Sequence, residues 1–356
     1  MNVGLLARKT LFSQKGGDTV QVIQTAEALQ RYGHRTFIIP AGDPLPNDLD
    51  VLHFFNIGRP ADALPYFKNF EGQKVISTIY VDYSKADKFR FSWLYAMLGT
   101  HGLEYIKTIA RAWNKSDRWP CWEYLLRGQR RSMVTLLKSC DTLITSSMSE
   151  LRRISPWSQL SGKALRDRHR MIPLGIDSDF IFKPQNTGPR TGLLMVGRLE
   201  YLKNQKVVIQ WARSRGWPLT VVGDANVNQP EYYEQCQKEA GPLTRFLPFQ
   251  GQSEIVQLMD HHKVFIMPSL TETYSLVAWE AAARGMTVIA NKMDDMQETL
   301  EPIAEFADFT NEEASVRLIE TELGQLHPRA KKSQAWFKDY TWDEIGQKID
   351  EAYTQR

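Results

Sequence analysis

The chain of 356 residues is predicted to form two successive α/β domains, each a doubly wound parallel sheet, and three observations carry this. The length exceeds one ordinary domain and suits two of roughly 150–200 residues. Short apolar runs of strand length alternate with segments of helical period. The alternation halts at Pro184-Gln-Asn-Thr-Gly-Pro189, a turn-rich break without hydrophobic periodicity, and then starts afresh. A composition 42% hydrophobic with ten Trp can fill two such cores, which excludes a disordered or fibrous chain.

Within the first series, Val3 to Ala7 reads as a strand, Gly16-Gly17 as a loop, and Val20 to Tyr32 as a helix with Val22, Ile23, Ala26 and Leu29 on one face, stopped by Gly33. Thr36 to Ile39, Val51 to Phe55 and Val75 to Ile79 follow as buried strands. Residues 85–138 read as helices rich in charge and aromatic rings, and Thr142 to Thr145 returns to strand. The second series runs Leu193 to Val196 (strand), Lys203 to Ser214 (helix), Leu219 to Val222 and Val264 to Met267 (strands), Leu276 to Arg284 (helix) and Thr287 to Ala290 (strand). The expected domains are 1–183 and 184–335, facing a cleft.

Three Cys without C-x-x-C spacing exclude a disulfide framework and a cysteine zinc site, and suit a reducing cytoplasm. No apolar stretch approaches the roughly 18–20 residues of a spanning helix, and the opening MNVGLLARKTLF suits a strand better than a signal peptide. The net charge of +3 hides an asymmetry: residues 1–180 hold 25 Lys and Arg against 17 Asp and Glu, and the remainder 19 against 24. Residues 85–170 alone hold 17 basic and 7 acidic residues, with Trp93, Trp113, Trp119, Trp122 and Trp157 interleaved. Such a pattern suits peripheral contact with an anionic membrane or a phosphorylated acceptor, with nucleic acid the weaker alternative, or else a solvated helical surface over core Trp.

The chemistry concentrates in Pro268-Ser-Leu-Thr-Glu-Thr-Tyr-Ser-Leu-Val-Ala-Trp-Glu280, which follows an apolar strand and so emerges where open parallel sheets place their ligands. Ser275 suits an N-cap, and the first-turn N–H groups after it suit a phosphate. Glu280 sits about 7–8 Å along that helix, leaning back toward its N-terminus, where it can accept from a ribose. Glu272 lies before the cap, on the side of a transferred sugar. In Val196-Gly-Arg-Leu-Glu-Tyr-Leu-Lys-Asn204, Arg198 and Lys203 flank a helix start and can clamp a diphosphate.

These segments resemble the retaining GT-B glycosyltransferases of family 4, whose signature is E-x7-E. Pro268-Ser269, Glu272, Tyr274, Ser275, Glu280-Ala281, Ala283, Gly285 and Val288-Ile289-Ala290 match in register, and Gly197-Arg198 with Lys203-Asn204 matches a second element. Glycine is common in the family where Ser275 stands, and proline where Thr287 stands. The resemblance implies a GT-B enzyme moving a sugar from a nucleoside-diphosphate donor to a hydroxyl acceptor with retention, without a metal or other cofactor. Glu272 would contact the donor sugar, Glu280 the ribose, and Arg198 and Lys203 the leaving diphosphate, with Gly197, Thr273, Tyr274, Ser275 and Leu276 completing the donor site. Gly16 and Gly17 resemble the family's N-terminal glycine loop bordering donor sugar and acceptor.

Asp50 to His53, Asp141 to Ser147 and Ile172 to Asp177 are smaller echoes. Where the family often has a His-Asp pair, this chain has Tyr80 and Asp82; with Asp18 and His53 they are the acceptor-side candidates. Residues 336–356 would form a last helix (about 342–353) returning to the first domain. Asp48-Leu-Asp50 and Asp177-Ser-Asp179 are formal D-x-D pairs, but basic residues already supply phosphate charge and no H-x-x-x-H occurs. The whole implies assembly of a bacterial surface glycan on a glycan or lipid-linked acceptor, in the cytoplasm or on the inner face of the membrane. A sugar-nucleotide epimerase, or a decayed transferase binding anionic lipid or nucleic acid, is the alternative.

Overall fold

The computed structural model describes the chain except for residues 15, 83, 85–91, 115–116, 182–187, 273 and 355–356. The chain divides into two compact units, one of Met1–Gly175 with Trp342–Arg356, the other Ile176–Thr341. In the first, strands β1 (Asn2–Ala7), β2 (Arg35–Pro40), β3 (Val51–Phe55), β4 (Gln73–Ser77), β5 (Thr142–Thr145) and β6 (His169–Met171) form a parallel sheet in the order β2-β1-β3-β4-β5-β6. In the second, β7 (Leu193–Val196), β8 (Leu219–Val222), β9 (Thr244–Leu247), β10 (Val264–Met267), β11 (Thr287–Asn291) and β12 (Glu305–Ala307) are ordered β12-β11-β10-β7-β8-β9. That is the doubly wound dinucleotide-fold order, reversing direction between β7 and β10. Central strands such as β3, β10 and β11 are buried at every position, so they read as continuous apolar runs. Together the two sheets and their flanking helices make the GT-B fold.

Several boundaries differ from expectation for local reasons. β4 ends at Ser77 because Ile79 turns through φ 41°, and the buried Glu150 carboxylate takes the Thr78 hydroxyl (2.5 Å) and the Tyr80 N–H (2.6 Å). The helix expected from Lys203 is a 3-10 turn, Tyr201–Lys203, and then a helix, Gln205–Arg215, separated by Asn204 in the left-handed region (φ 53°). The first unit closes at Gly175, onto which Trp342 packs so tightly that a Cβ there would lie 2.6 Å from the indole. Asp177 to Phe180 belong to the second unit, where the buried Arg284 guanidinium holds the Asp179 carbonyl (3.1 Å) and the Asp260 carboxylate (2.6 Å). The linker-like stretch 184–189 falls inside the second unit, with 184–187 outside the described residues. The helix Trp342–Thr354 lies against Gly17–Arg31 in the first unit, where Gly346 lets it approach Ala28.

Candidate functional site

In the second unit the loops after β7 and β10 leave adjacent parallel strands, paired Leu193 to Val264 and Leu194 to Phe265, at the point where the sheet order reverses. Such a point is where a doubly wound sheet opens a crevice at its carboxyl ends. Gly197 follows β7 with φ 150°, and Gly223 after β8 has φ 141°. A Cβ on Gly223 would lie 2.3 Å from the Gly197 carbonyl oxygen, so glycine there lets the two loops touch. Arg198, exposed, follows at once, and its carbonyl accepts from Gln205 Nε2 (2.8 Å). The Leu270 N–H donates to the Leu202 carbonyl (2.7 Å), strapping the two loops together.

That strap brings Lys203 and Glu272 into an ion pair, although 69 residues separate them. Ser269, whose carbonyl is held by Asn291 Nδ2 (3.0 Å), also donates to Glu272 (3.3 Å). Thr273 lies outside the described residues. Tyr274 is buried and stacks on Trp279, ring centroids 5.4 Å apart. Ser275 caps Leu276–Ala283 from the left-handed region (φ 62°), which accounts for the family's preference for glycine at this place. The expectation of a side-chain cap is corrected: the Ser275 hydroxyl makes no capping bond, because the left-handed backbone turns it away from the first-turn N–H groups, and its oxygen is buried without a hydrogen bond.

Glu280 lies one turn inside that helix, only partly exposed. Burial first, and then the nearby Asp177 carboxylate, push its carboxyl up to about 7. Among the described residues nothing donates to it, so it stands ready to accept from a ligand hydroxyl. The second unit therefore gathers Arg198, Lys203, Glu272 and the N-terminus of Leu276–Ala283, with Glu280 behind it. A diphosphate suits the cations and helix end, and a polyhydroxyl group suits the two carboxylates.

The first-unit candidates are distributed differently. Gly16 is the N-cap of Gly17–Arg31 with extended backbone, and a Cβ on Gly17 would meet nothing within 4 Å, so space beside this helix end, not strain, is what the pair provides. Asp18 is not open to a ligand: Arg8 holds it with Nε (2.5 Å) and Nη2 (3.1 Å) while also binding the Thr10 and Gln14 carbonyls. Arg8, which sequence reasoning missed, shapes this loop by holding Asp18. Only its place directly after the strand-like run ending at Ala7, ten before Asp18, could have signalled it.

His53 is likewise corrected to a core residue. It is fully buried in β3, bonded to Tyr353 OH (2.7 Å) and Ser77 Oγ (2.8 Å), and burial pushes its imidazole down to about 3. Tyr80 and Asp82 do lie together after β4. Burial, then Asp82, push the Tyr80 phenol up to about 12, and Asp82 remains partly exposed.

Both D-x-D pairs serve the backbone: Asp177 accepts from the Asp179 N–H (2.9 Å), and Asp50 from the Asn2 N–H (2.7 Å). Among the described residues no group of three or more His, Cys, Asp or Glu is placed to hold a metal, and no helix is long and apolar enough to cross a membrane.

Residues 177–325 match the family model described as glycosyl transferases group 1. The glycogen synthase of Mycobacterium tuberculosis is 31% identical over 174 residues, which cover 46% of this chain and 41% of that protein. The D-inositol 3-phosphate glycosyltransferase of Corynebacterium urealyticum is 32% identical over 114 residues, 29% of this chain and 27% of the relative. The chain thus spans less than half the length of these curated relatives. Among solved structures, sucrose-phosphate synthase from Thermosynechococcus elongatus superposes with a TM-score of 0.74 at 15% identity, covering 100% of this chain and 98% of that one. Anabaena HepE in complex with UDP and glucose gives 0.71 at 14%, covering all of both. At such identities the likeness shows a shared fold.

Proposed function

We propose that this chain, whose residues 177–325 match the group 1 glycosyl transferases, moves a sugar from a nucleoside-diphosphate donor to a hydroxyl of a glycan or lipid-linked acceptor, with retention of anomeric configuration and without a metal. The reading carries with it assembly of a bacterial surface glycan on the cytoplasmic face of the membrane. One observation supports it above the others: two loops at the reversal point of the second sheet place Arg198 and the Lys203–Glu272 pair beside the end of the helix that bears Glu280.

The diphosphate sits on the N–H groups opening Leu276–Ala283 and competes with Glu272 for the Lys203 ammonium. That frees Glu272 to take hydroxyls of the donor sugar. Glu280 accepts from the ribose. As the glycosidic bond to the diphosphate breaks, charge grows on the phosphate oxygen, and Arg198 with Lys203 stabilises it; electrostatic stabilisation of this kind is the largest single contribution in many enzymes. The first unit, with Gly16-Gly17 and the Tyr80–Asp82 loop, takes the acceptor.

The test is release of nucleoside diphosphate from a panel of UDP-, GDP-, ADP- and dTDP-sugars in the presence of chelator, with the product anomer read by NMR. One donor class consumed, with its configuration kept, is expected. Conversion of the donor to an isomer without release would contradict transfer and point to an epimerase.

A further inference from the structure

The helices Ser92–Trp113 and Trp122–Ser139 of the first unit expose an unusual amount of apolar surface. Eight of the twenty large hydrophobic side chains left exposed among the described residues fall within 93–126. Trp113 is 74% exposed, touching Trp119 edge-on at 6.2 Å, Trp122 is 79% exposed and Leu126 81%. Ile106, Ile109, Ala110 and Trp113, at helical spacing, line a shallow hollow of about 440 Å³. Trp122 and Leu126, four apart, form a second exposed stripe.

Each helix is broken by one glycine, Gly99 (φ 62°, ψ −177°) and Gly128 (φ 73°, ψ 178°). That conformation belongs almost to glycine alone. Neither glycine is crowded, since a Cβ on either would meet nothing within 4 Å, so the breaks serve direction and not packing. Trp93 and Met97 lie before the first break, Trp122 and Leu126 before the second, and the two helices pack on each other through Tyr105 and Tyr124, stacked at 5.5 Å.

Charge selects the occupant. Residues 92–139 hold eight Lys and Arg against three acids. All three acids are paired: Glu104 with Lys107 (2.8 Å), Asp117 with Arg59 (2.8 Å) and Glu123 with Arg127 (3.0 Å). Arg118, Arg130 and Arg131 are exposed, and no described carboxylate pairs with them. Exposed tryptophan and aliphatic side chains in a segment that also carries exposed arginine match the interface of an anionic bilayer, where the indole sits at headgroup depth and arginine meets phosphate.

We infer that this glycine-broken helix pair is a docking face for an anionic phospholipid surface, seated by Trp113, Trp122 and Leu126 and held by Arg118, Arg130 and Arg131. It deepens the reading of a membrane-presented acceptor and rests on it for its purpose, while its test is independent of the donor site.

The experiment is co-sedimentation of the full chain with vesicles of phosphatidylcholine alone or with about one third phosphatidylglycerol, at low salt and at about 0.5 M, where charge is screened within a few ångströms. Binding to the anionic vesicles only, weakened by salt, is expected. Trp122→Ser with Leu126→Ser, both on the surface and so compatible with folding, lowers it about tenfold. Each of Arg118→Gln, Arg130→Gln and Arg131→Gln lowers it roughly fivefold. Nucleotide-induced thermal stabilisation stays unchanged in all of them, so loss of that signal in the wild type would count against the donor site and not against docking. Wild type remaining in the supernatant, or the double variant pelleting like wild type, would overturn the inference. So would a dimer in sedimentation velocity that the double variant abolishes, since the face would then belong to a second copy.

Discussion

Glu280 holds a proton more tightly than an ordinary glutamic acid because burial and then Asp177 push its carboxyl from 4.5 up to about 7. Below about pH 4.5 the folded and unfolded chains both carry this proton. Between there and about 7 the unfolded chain has lost it and the folded one keeps it, so folding stability falls as pH rises through that window and levels off above it. Glu280→Gln removes this slope: urea unfolding should find the variant more stable than wild type by about 2 kcal/mol at pH 8 and equal to it at pH 4, the figure discounted for partial exposure. The same group predicts that a nucleotide whose ribose donates to the carboxylate binds more tightly at pH 8 than at pH 6. Equal affinity at both would remove Glu280 from the ribose. The E-x7-E spacing made this residue visible in the sequence. Its raised pKa was not visible, because the burial that raises it, and then Asp177 from 103 positions away, act only through the fold.

The segment Asp177 to Phe180 is held to the second unit by a buried cation and, at the surface, by Gln252 Nε2 on the Asp179 carboxylate (3.2 Å). Arg284 grips both Asp260 oxygens (2.7 and 2.6 Å) and the Asp179 carbonyl (3.1 Å), and it is 1% exposed. Arg284→Met would leave Asp260 buried and short of its main partner, a change that costs about 3–5 kcal/mol. The expected readout is a lowered urea midpoint together with a fall in the Glu280 pKa, since Asp177 is released with the segment. An unchanged midpoint would show that Arg190, 3.6 Å from Asp260, suffices alone. Elements differ in legibility for a related reason. Central strands such as Val264–Met267 were plain as apolar runs, while β6, β9 and β12 escaped notice because they are short, lie at or near sheet edges and are only partly buried. His53 misled because its D-x-x-H strand pattern carries no sign that Ser77 and Tyr353 seal both ring nitrogens.

At the scale of the molecule, one chain carries two sheets with different electrostatic surroundings, a basic first unit bearing exposed tryptophan and a more acidic second unit holding the proposed donor-site residues. The architecture was legible because alternating strand and helix periods repeat twice. The division at Gly175 was not, because it depends on Trp342 packing onto that glycine and on Arg284 capturing Asp179, contacts more than 100 residues apart. The central claim is that the second unit binds a nucleoside diphosphate without metal through Lys203 and Glu280. Calorimetric titration of UDP, GDP, ADP and dTDP in chelator, into wild type, Lys203→Ala and Glu280→Ala, tests it most directly. One nucleotide binding wild type and losing roughly tenfold or more in each variant, as a lost charge-assisted contact of about 1.5–3 kcal/mol requires, is the predicted result. No binding by any of the four, or binding that neither substitution weakens, would contradict it.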